Sequence, residues 1–355
     1  MRRPHGRSSS LLSAFFRRLG ISCLPLPKPW YDVPDLVTIA MLMMASGAAC
    51  AADPYPNHPI TLVAPFTAGG DSDIAARNLA AHVRDALGGT MVVLNKGGAN
   101  GAIGSQYVHD AAPDGYTLLL ARVGSQAVLP ALQKGLTYKW DDFTFIGLLE
   151  LNPMACVVNS KSRYHTLDDL VSDLKGRPGK LNYSTSGPAT VLNLASQTLL
   201  SAAGLPKAGA TEIPYKGGAD ATTALLAGEV DFSCNNVISL VGPIKGGTLR
   251  ALVTTSPQRL PDLPDVPTAR ELHYPQLESV NGWSALYGPP GLPADVKARW
   301  AKALVAMKTN QDWLSAVRRV GSVPNVLSAD DTRKYVADQV AFYTTLGKKL
   351  NLELN

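Results

Sequence analysis

From Ile60 onward, short apolar runs of strand length alternate with stretches of helical periodicity, and no other feature restricts the fold as much. That alternation is the pattern of α/β sheets whose helices cover mostly parallel strands. Residues 60–66 (ITLVAPF) predict a buried strand and TAGGDSD a tight loop. Residues 74–87 predict a helix with Ala76, Leu79, Ala80, Val83 and Leu87 along one face. Gly88-Gly89 suits the left-handed end of that helix. Residues 91–95 predict the next strand, residues 96–104 a Gly-rich loop into a helix ending near Ala112, and residues 116–121 a third strand. A second set begins near Met154. Its strands are ACVVN, residues 181–184, residues 211–215, VDFSC and LRALVTT; its helices cover residues 167–175, 191–203 and 219–227. After Trp283 the pattern turns helical, over residues 294–309, 311–320 and 329–350. The expected architecture is two α/β lobes around a cleft, with ligands beyond the carboxyl ends of the strands.

Composition narrows the function classes. With 355 residues, 46% apolar and 17% charged, the chain supports a packed core and about two domains. Residues 1–52 hold six Lys/Arg against two Asp/Glu, so +4 of the formal +5 lies there. The nearly neutral remainder argues against nucleic acid as a partner. Arg2, Arg3, Arg7, Arg17 and Arg18 precede the apolar run LVTIAMLMMA and small residues up to Ala52, as in a secretory signal peptide. The run is shorter than the roughly 20 residues a membrane span requires. Cleavage near Ala51 or Ala52 is expected, a lipid anchor on Cys50 is the alternative, and the Pro-broken n-region suggests a start codon nearer the apolar run. Residues 1–52 thus form a leader and the mature protein is periplasmic.

Of four cysteines, Cys23 and Cys50 lie in the leader, while Cys156 and Cys234 sit in apolar strand-like runs. Two buried thiols are the expectation for that pair, with a disulfide as the alternative in an oxidising compartment. No CxxC and no metal-ligand spacing of histidines occurs, so no metal is expected.

The candidate ligand residues are in loops that follow strands and enter helices. Phe66, Thr67, Ala68, Gly69, Gly70, Ser72 and Asp73 form the first loop: the glycines permit close backbone approach, and Ser72 or Asp73 is expected to cap a helix. Backbone amides there offer an anion seat, although an ordinary capped turn explains the same residues. Ser184, Thr185, Ser186 and Gly187 offer hydroxyls, Tyr215, Lys216 and Gly217 a third loop, and Asn235-Asn236 a strand end. Arg122 and Ser125 follow another strand, Arg122 as a cation for a ligand carboxylate or for a nearby acid. GxSxG and GxxxxGK[ST] are absent, and Gly97 to Gly104 misses the GxGxxG register. Binding without catalysis or cofactor is therefore expected.

The segment from Tyr55 to Phe66, with Gly69-Gly70 and Asp73, resembles the opening of the Bug family, the extracytoplasmic receptors of tripartite tricarboxylate transporters. The resemblance continues through Pro113-Asp114-Gly115-Tyr116, Pro214-Tyr215-Lys216-Gly217-Gly218, Gly228-Glu229-Val230-Asp231, Leu263-Pro264-Asp265-Val266-Pro267 and Gly288-Pro289-Pro290-Gly291. It implies a type II periplasmic-binding-protein fold, with residues 53–153 plus 279–355 as one lobe and 154–278 as the other. It also implies a small carboxylate ligand held by the 66–73 and 184–187 loops, membrane permease subunits as partners, and a monomer. A sensing accessory protein and a periplasmic enzyme on the same fold are the alternatives. The chain departs from the family in carrying Lys96-Gly97 for Arg-Pro, Asn235-Asn236 for Asp-Asn, and Arg122 at a place near which many members have Thr or Ser. The last two changes suggest a pocket receptive to a second acidic group, anchored by Arg122.

Overall fold

The computed structural model describes residues 55–350 and Leu352. The leader, its cleavage site and Cys50 lie outside the described residues. Eleven strands are present among them: β1 Ile60–Ala64, β2 Met91–Asn95, β3 Thr117–Arg122, β4 Thr144–Asn152, β5 Met154–Asn159, β6 Asn182–Thr185, β7 Thr211–Pro214, β8 Phe232–Asn236, β9 Leu249–Thr254, β10 Gly282–Gly288 and β11 Val323–Pro324. The longer helices are α1 Asp71–His82, α2 Ala102–His109, α3 Leu167–Gly176, α4 Val191–Ala202, α5 Gly218–Ala227, α6 Val237–Lys245, α7 Ala294–Met307, α8 Gln311–Arg319 and α9 Ala329–Leu350.

The strands form two sheets, ordered β11-β4-β10-β3-β1-β2 and β7-β6-β8-β5-β9. Both are mixed, whereas the alternating sequence predicts parallel pairing. In the first sheet β1 runs parallel to β2 and β3, but β10 inserts antiparallel between β3 and β4. In the second, β6 is parallel to β7 and β8, while β5 is antiparallel to β8 and β9. This is the two-lobed, type II periplasmic-binding-protein fold. The chain passes from sheet to sheet at Pro153, between β4 and β5, and returns through residues 255–281 into β10.

Apolar burial fixes these layers. Trp300 of α7 and Trp313 of α8 are buried with Ile60, Leu62 and Leu79 beneath the first sheet. The Trp300 indole donates to the Tyr55 hydroxyl at 2.8 Å, which anchors the start of the described chain to α7. On the other face α9 packs on β4, and Thr332 Oγ1 accepts from the Leu148 amide at 2.6 Å. Tyr183 and Phe232 stack inside the second lobe with centroids 5.4 Å apart.

Two local outcomes differ from the sequence expectations. The helix expected over residues 74–87 starts earlier, at Asp71, and breaks at Val83 before a single turn Arg84–Leu87. Cys156 and Cys234, expected as buried thiols, are bonded to each other. They face one another in the antiparallel β5–β8 register, which brings the two sulfurs together across 78 residues of chain.

Candidate functional site

The carboxyl ends of β1 and β3 in one sheet face those of β6, β7 and β8 in the other across one pocket. Phe66 and Thr67 enter it after β1, Arg122 at the end of β3, and Val123 and Gly124 just after it. From the second sheet come Ser186, Gly217, Gly218 and Asn236, with Asn100 reaching in from the loop after β2. Ala189, Thr190, Val191 and Leu192 complete an apolar side at the start of α4. The space free of protein atoms, open solvent at its mouth included, is about 600 Å³. An outer chamber shares Phe66, Thr67, Asn100 and Ser186 and is rimmed by Tyr215 and Lys216.

Four helices of nine or more residues begin at this pocket: α1 at Gly70–Asp71, α4 at Thr190–Val191, α5 at Gly217–Gly218 and α6 at Asn236. The positive ends of their dipoles lie beside the enclosed space. α4 and α6 carry no acidic residue in their first turns, although at α6 the Val237 amide donates to Pro153 O at 2.9 Å and the Asp71 carboxylate accepts from the cap residue Asn236. In α4 the Thr190 hydroxyl is the cap, accepting from Asn193 N at 3.4 Å.

One wall of the pocket is an ionic network. Arg122 is 2% exposed and donates through Nη2 to Asp71 Oδ2 at 2.5 Å. Its Nη1 donates to Asn152 Oδ1 at 2.8 Å and to the Ser284 hydroxyl. Asp71 Oδ2 also accepts from Asn236 Nδ2 at 2.6 Å, so this carboxylate bridges the two lobes. Beyond Arg122, buried Glu150 accepts from Asn152 Nδ2 at 3.0 Å and from Ser284 Oγ at 2.9 Å. Burial pushes the Glu150 carboxyl above its ordinary value, against the pull of those hydrogen bonds and of the Arg122 charge.

The sign of that shift gives a prediction. A carboxyl with a raised folded-state pKa costs stability as pH rises from the unfolded value through the folded one. Glu150→Gln keeps an acceptor on the same side chain and removes the ionisation. Its stability relative to wild type should therefore increase between pH 4 and pH 8, as urea unfolding at both values would measure. A constant difference across that range would contradict the assignment.

The structure sorts the residues picked from the sequence. Phe66, Thr67, Gly70, Arg122, Ser186, Gly217 and Asn236 line the pocket, and Tyr215 and Lys216 the outer chamber. Asp73 instead turns back: its Oδ2 accepts from Gly69 N and Arg77 Nε, both at 3.0 Å. Although burial raises it, those bonds hold its carboxyl below the ordinary value. The helix is capped by Gly70 without a side-chain bond, so neither Ser72 nor Asp73 is the cap. Ala68 is exposed and Ser72 buried. Ser184 Oγ donates to Ala221 O at 2.9 Å, and Thr185 Oγ1 donates to Glu212 at 2.6 Å while accepting from Gly187 N. Asn235 holds the start of α5, donating to Gly218 O at 2.8 Å, and Ser125 is buried beneath Arg122, donating to its carbonyl at 3.3 Å. These residues shape the loops and do not line the pocket.

Sequence reasoning passed over Asp71, Asn100 and the Ala189–Leu192 stretch. Asp71 carried no local signal beyond following Gly69-Gly70, because its cation lies 51 residues away; for α4 the signal was the acid-free apolar start after Ser-Gly-Pro. Of the two readings open for Arg122, the structure shows the pairing with a nearby acid, Asp71, and the side chain is buried rather than at the surface.

Two α/β lobes with helix N-termini converging on an interlobe pocket define a solute-binding protein. Residues 75–352 match the tripartite tricarboxylate transporter family receptor, and the chain belongs to that family, the Bug receptors included. It is 31% identical to protein BugT of Bordetella pertussis over 309 residues, covering 86% of this chain and 94% of BugT. Among solved structures, periplasmic binding protein BugD shares 33% identity with a TM-score of 0.78, over 84% of this chain and 99% of BugD. MatC from Rhodopseudomonas palustris with bound malate shares 27% identity with a TM-score of 0.75, over 82% of this chain and 99% of MatC.

Proposed function

We propose that this protein is a periplasmic receptor that closes on a small carboxylate and delivers it to the permease of a tripartite tricarboxylate-type transporter. The observation that carries the reading is the convergence of four helix N-termini on one pocket, two of them free of first-turn acids. Such amides bind an anion without a dedicated lysine or arginine. The malate held by the relative MatC agrees with this class of ligand. Residues 53–153 plus 279–355 act as one lobe and 154–278 as the other, and the leader directs export. The protein works by binding: it captures and releases its ligand unchanged.

A thermal-shift screen of the exported protein against mono-, di- and tricarboxylates and aromatic acids tests the reading. A ligand at 100 times its dissociation constant adds about 2.7 kcal/mol, so the unfolding midpoint should rise by several degrees for at least one acid. Stabilisation by sugars or amines alone, with no response to acids, would refute it. Delivery is tested separately, by loss of uptake of the identified acid in cells lacking this receptor.

A further inference from the structure

What the ligand can carry beyond its first carboxylate depends on the charged part of the pocket lining, Asp71 and Arg122. Arg122 is the natural seat for a second carboxylate, but its charge is already engaged. Asp71 takes Nη2, Asn152 and Ser284 take Nη1, and the side chain is 3% exposed. Asp71 itself stands at the pocket surface, with 18% of its side chain exposed. A second carboxylate brought to this wall would meet Asp71 before the guanidinium, and buried Glu150 adds a further acid on the far side of the same cation. Like charges in contact inside a pocket are strongly disfavoured. Val191 and Leu192, which also line the pocket, are apolar. Lys216 is exposed at the outer chamber, a solvated charge that does not reverse the balance within.

We propose that the receptor selects monocarboxylates with an apolar body, and that Asp71 is the residue that excludes a second carboxylate. This rests on the carboxylate reading of the pocket. Asp71 acts both by occupying Arg122 and by presenting its own charge. The bond from Asn236 Nδ2, contributed by the opposite lobe, holds the Asp71 carboxylate in that position when the lobes are together.

The test is calorimetric titration of the exported protein with matched acids: butyrate against succinate, hexanoate against adipate, and benzoate against phthalate. Wild type should bind the monoacid of at least one pair about tenfold or more tightly than its diacid. Asp71→Asn keeps an oxygen to accept from Asn236 and frees the guanidinium charge. It should tighten diacid binding about tenfold and change monoacid binding far less. The double variant D71N/R122Q removes the cation too and should return the diacid to its wild-type affinity, separating charge from loosened packing. Equal or tighter diacid binding by wild type overturns the proposal, whether or not the variants fold. So does an unchanged ratio in folded Asp71→Asn. Binding of no acid in either series overturns the carboxylate reading itself, and this inference with it.

Discussion

A Cys156→Ala/Cys234→Ala variant unfolds at lower urea concentration than wild type, with a loss of about 4 kcal/mol. The expectation follows from topology. The bridge closes a loop of 78 residues and joins β5 to β8, adjacent strands inside the second sheet. Cross-linking residues that far apart removes conformations from the unfolded chain, by about 3 kcal/mol for a 15-residue loop and about 4.7 for 100 residues. Both cysteines are fully buried, so the variant also leaves a small cavity. Unfolding wild type in the presence of dithiothreitol separates the two contributions. The reduced wild type should lose nearly as much stability as the variant; a large drop in the variant alone would assign the effect to lost volume. Ligand affinity should stay within about threefold in either case, because neither cysteine lines the pocket. A loss below about 1 kcal/mol in both would show that the cross-link contributes little.

That bridge also marks where sequence reasoning stops. Strand-length apolar runs at β1, β2, β5 and β9, and the three C-terminal helices, were legible because each carries its own periodicity. Pairing partners were not. Whether Cys156 meets Cys234 depends on an antiparallel register set by residues far apart in the chain. Strand β10 is buried along its whole length and pairs on both sides with strands more than a hundred residues earlier. Its sequence, GWSALYG, has no alternation to announce it. Helix α6 contains Pro243, which reads as a breaker when neighbouring packing is unknown.

The site shows the same division. Loops after strands are where ligands of such sheets are expected, and of the residues read from them Phe66, Thr67, Ser186 and Asn236 line the pocket. Residue type alone did not say which way each side chain turns. Thr185 and Asn235 are as polar as Ser186 and Asn236, yet they spend their hydrogen bonds inside the second lobe. Arg122 could be named as a cation from sequence, but its ion pair with Asp71 spans 51 residues of chain.

Gly104→Ala should destabilise the protein by about 3 kcal/mol, the upper end of ordinary overpacking, and should weaken binding of the cognate acid about tenfold or more. Gly104 lies in the first turn of α2, where alanine would normally favour the helix by up to about 1 kcal/mol. Close packing reverses that sign. A Cβ at this position would stand 2.7 Å from the carbonyl oxygen of Lys96 and 2.8 Å from Cα of Pro65. Both are backbone atoms at strand ends, so a rotamer change cannot relieve the overlap. Either α2 moves out or the ends of β1 and β2 move apart, and those ends lead directly to Phe66, Thr67 and Asn100 at the pocket. Gly176, at the end of α3, is the control. No heavy atom lies within 4 Å of a Cβ built there, so Gly176→Ala should leave binding unchanged and stability equal to or slightly above wild type. Urea unfolding and titration of both variants with the acid that binds wild type decide the matter. If Gly104→Ala matched Gly176→Ala in both measurements, the close seating of α2 against the two loops would not be what holds the pocket in shape.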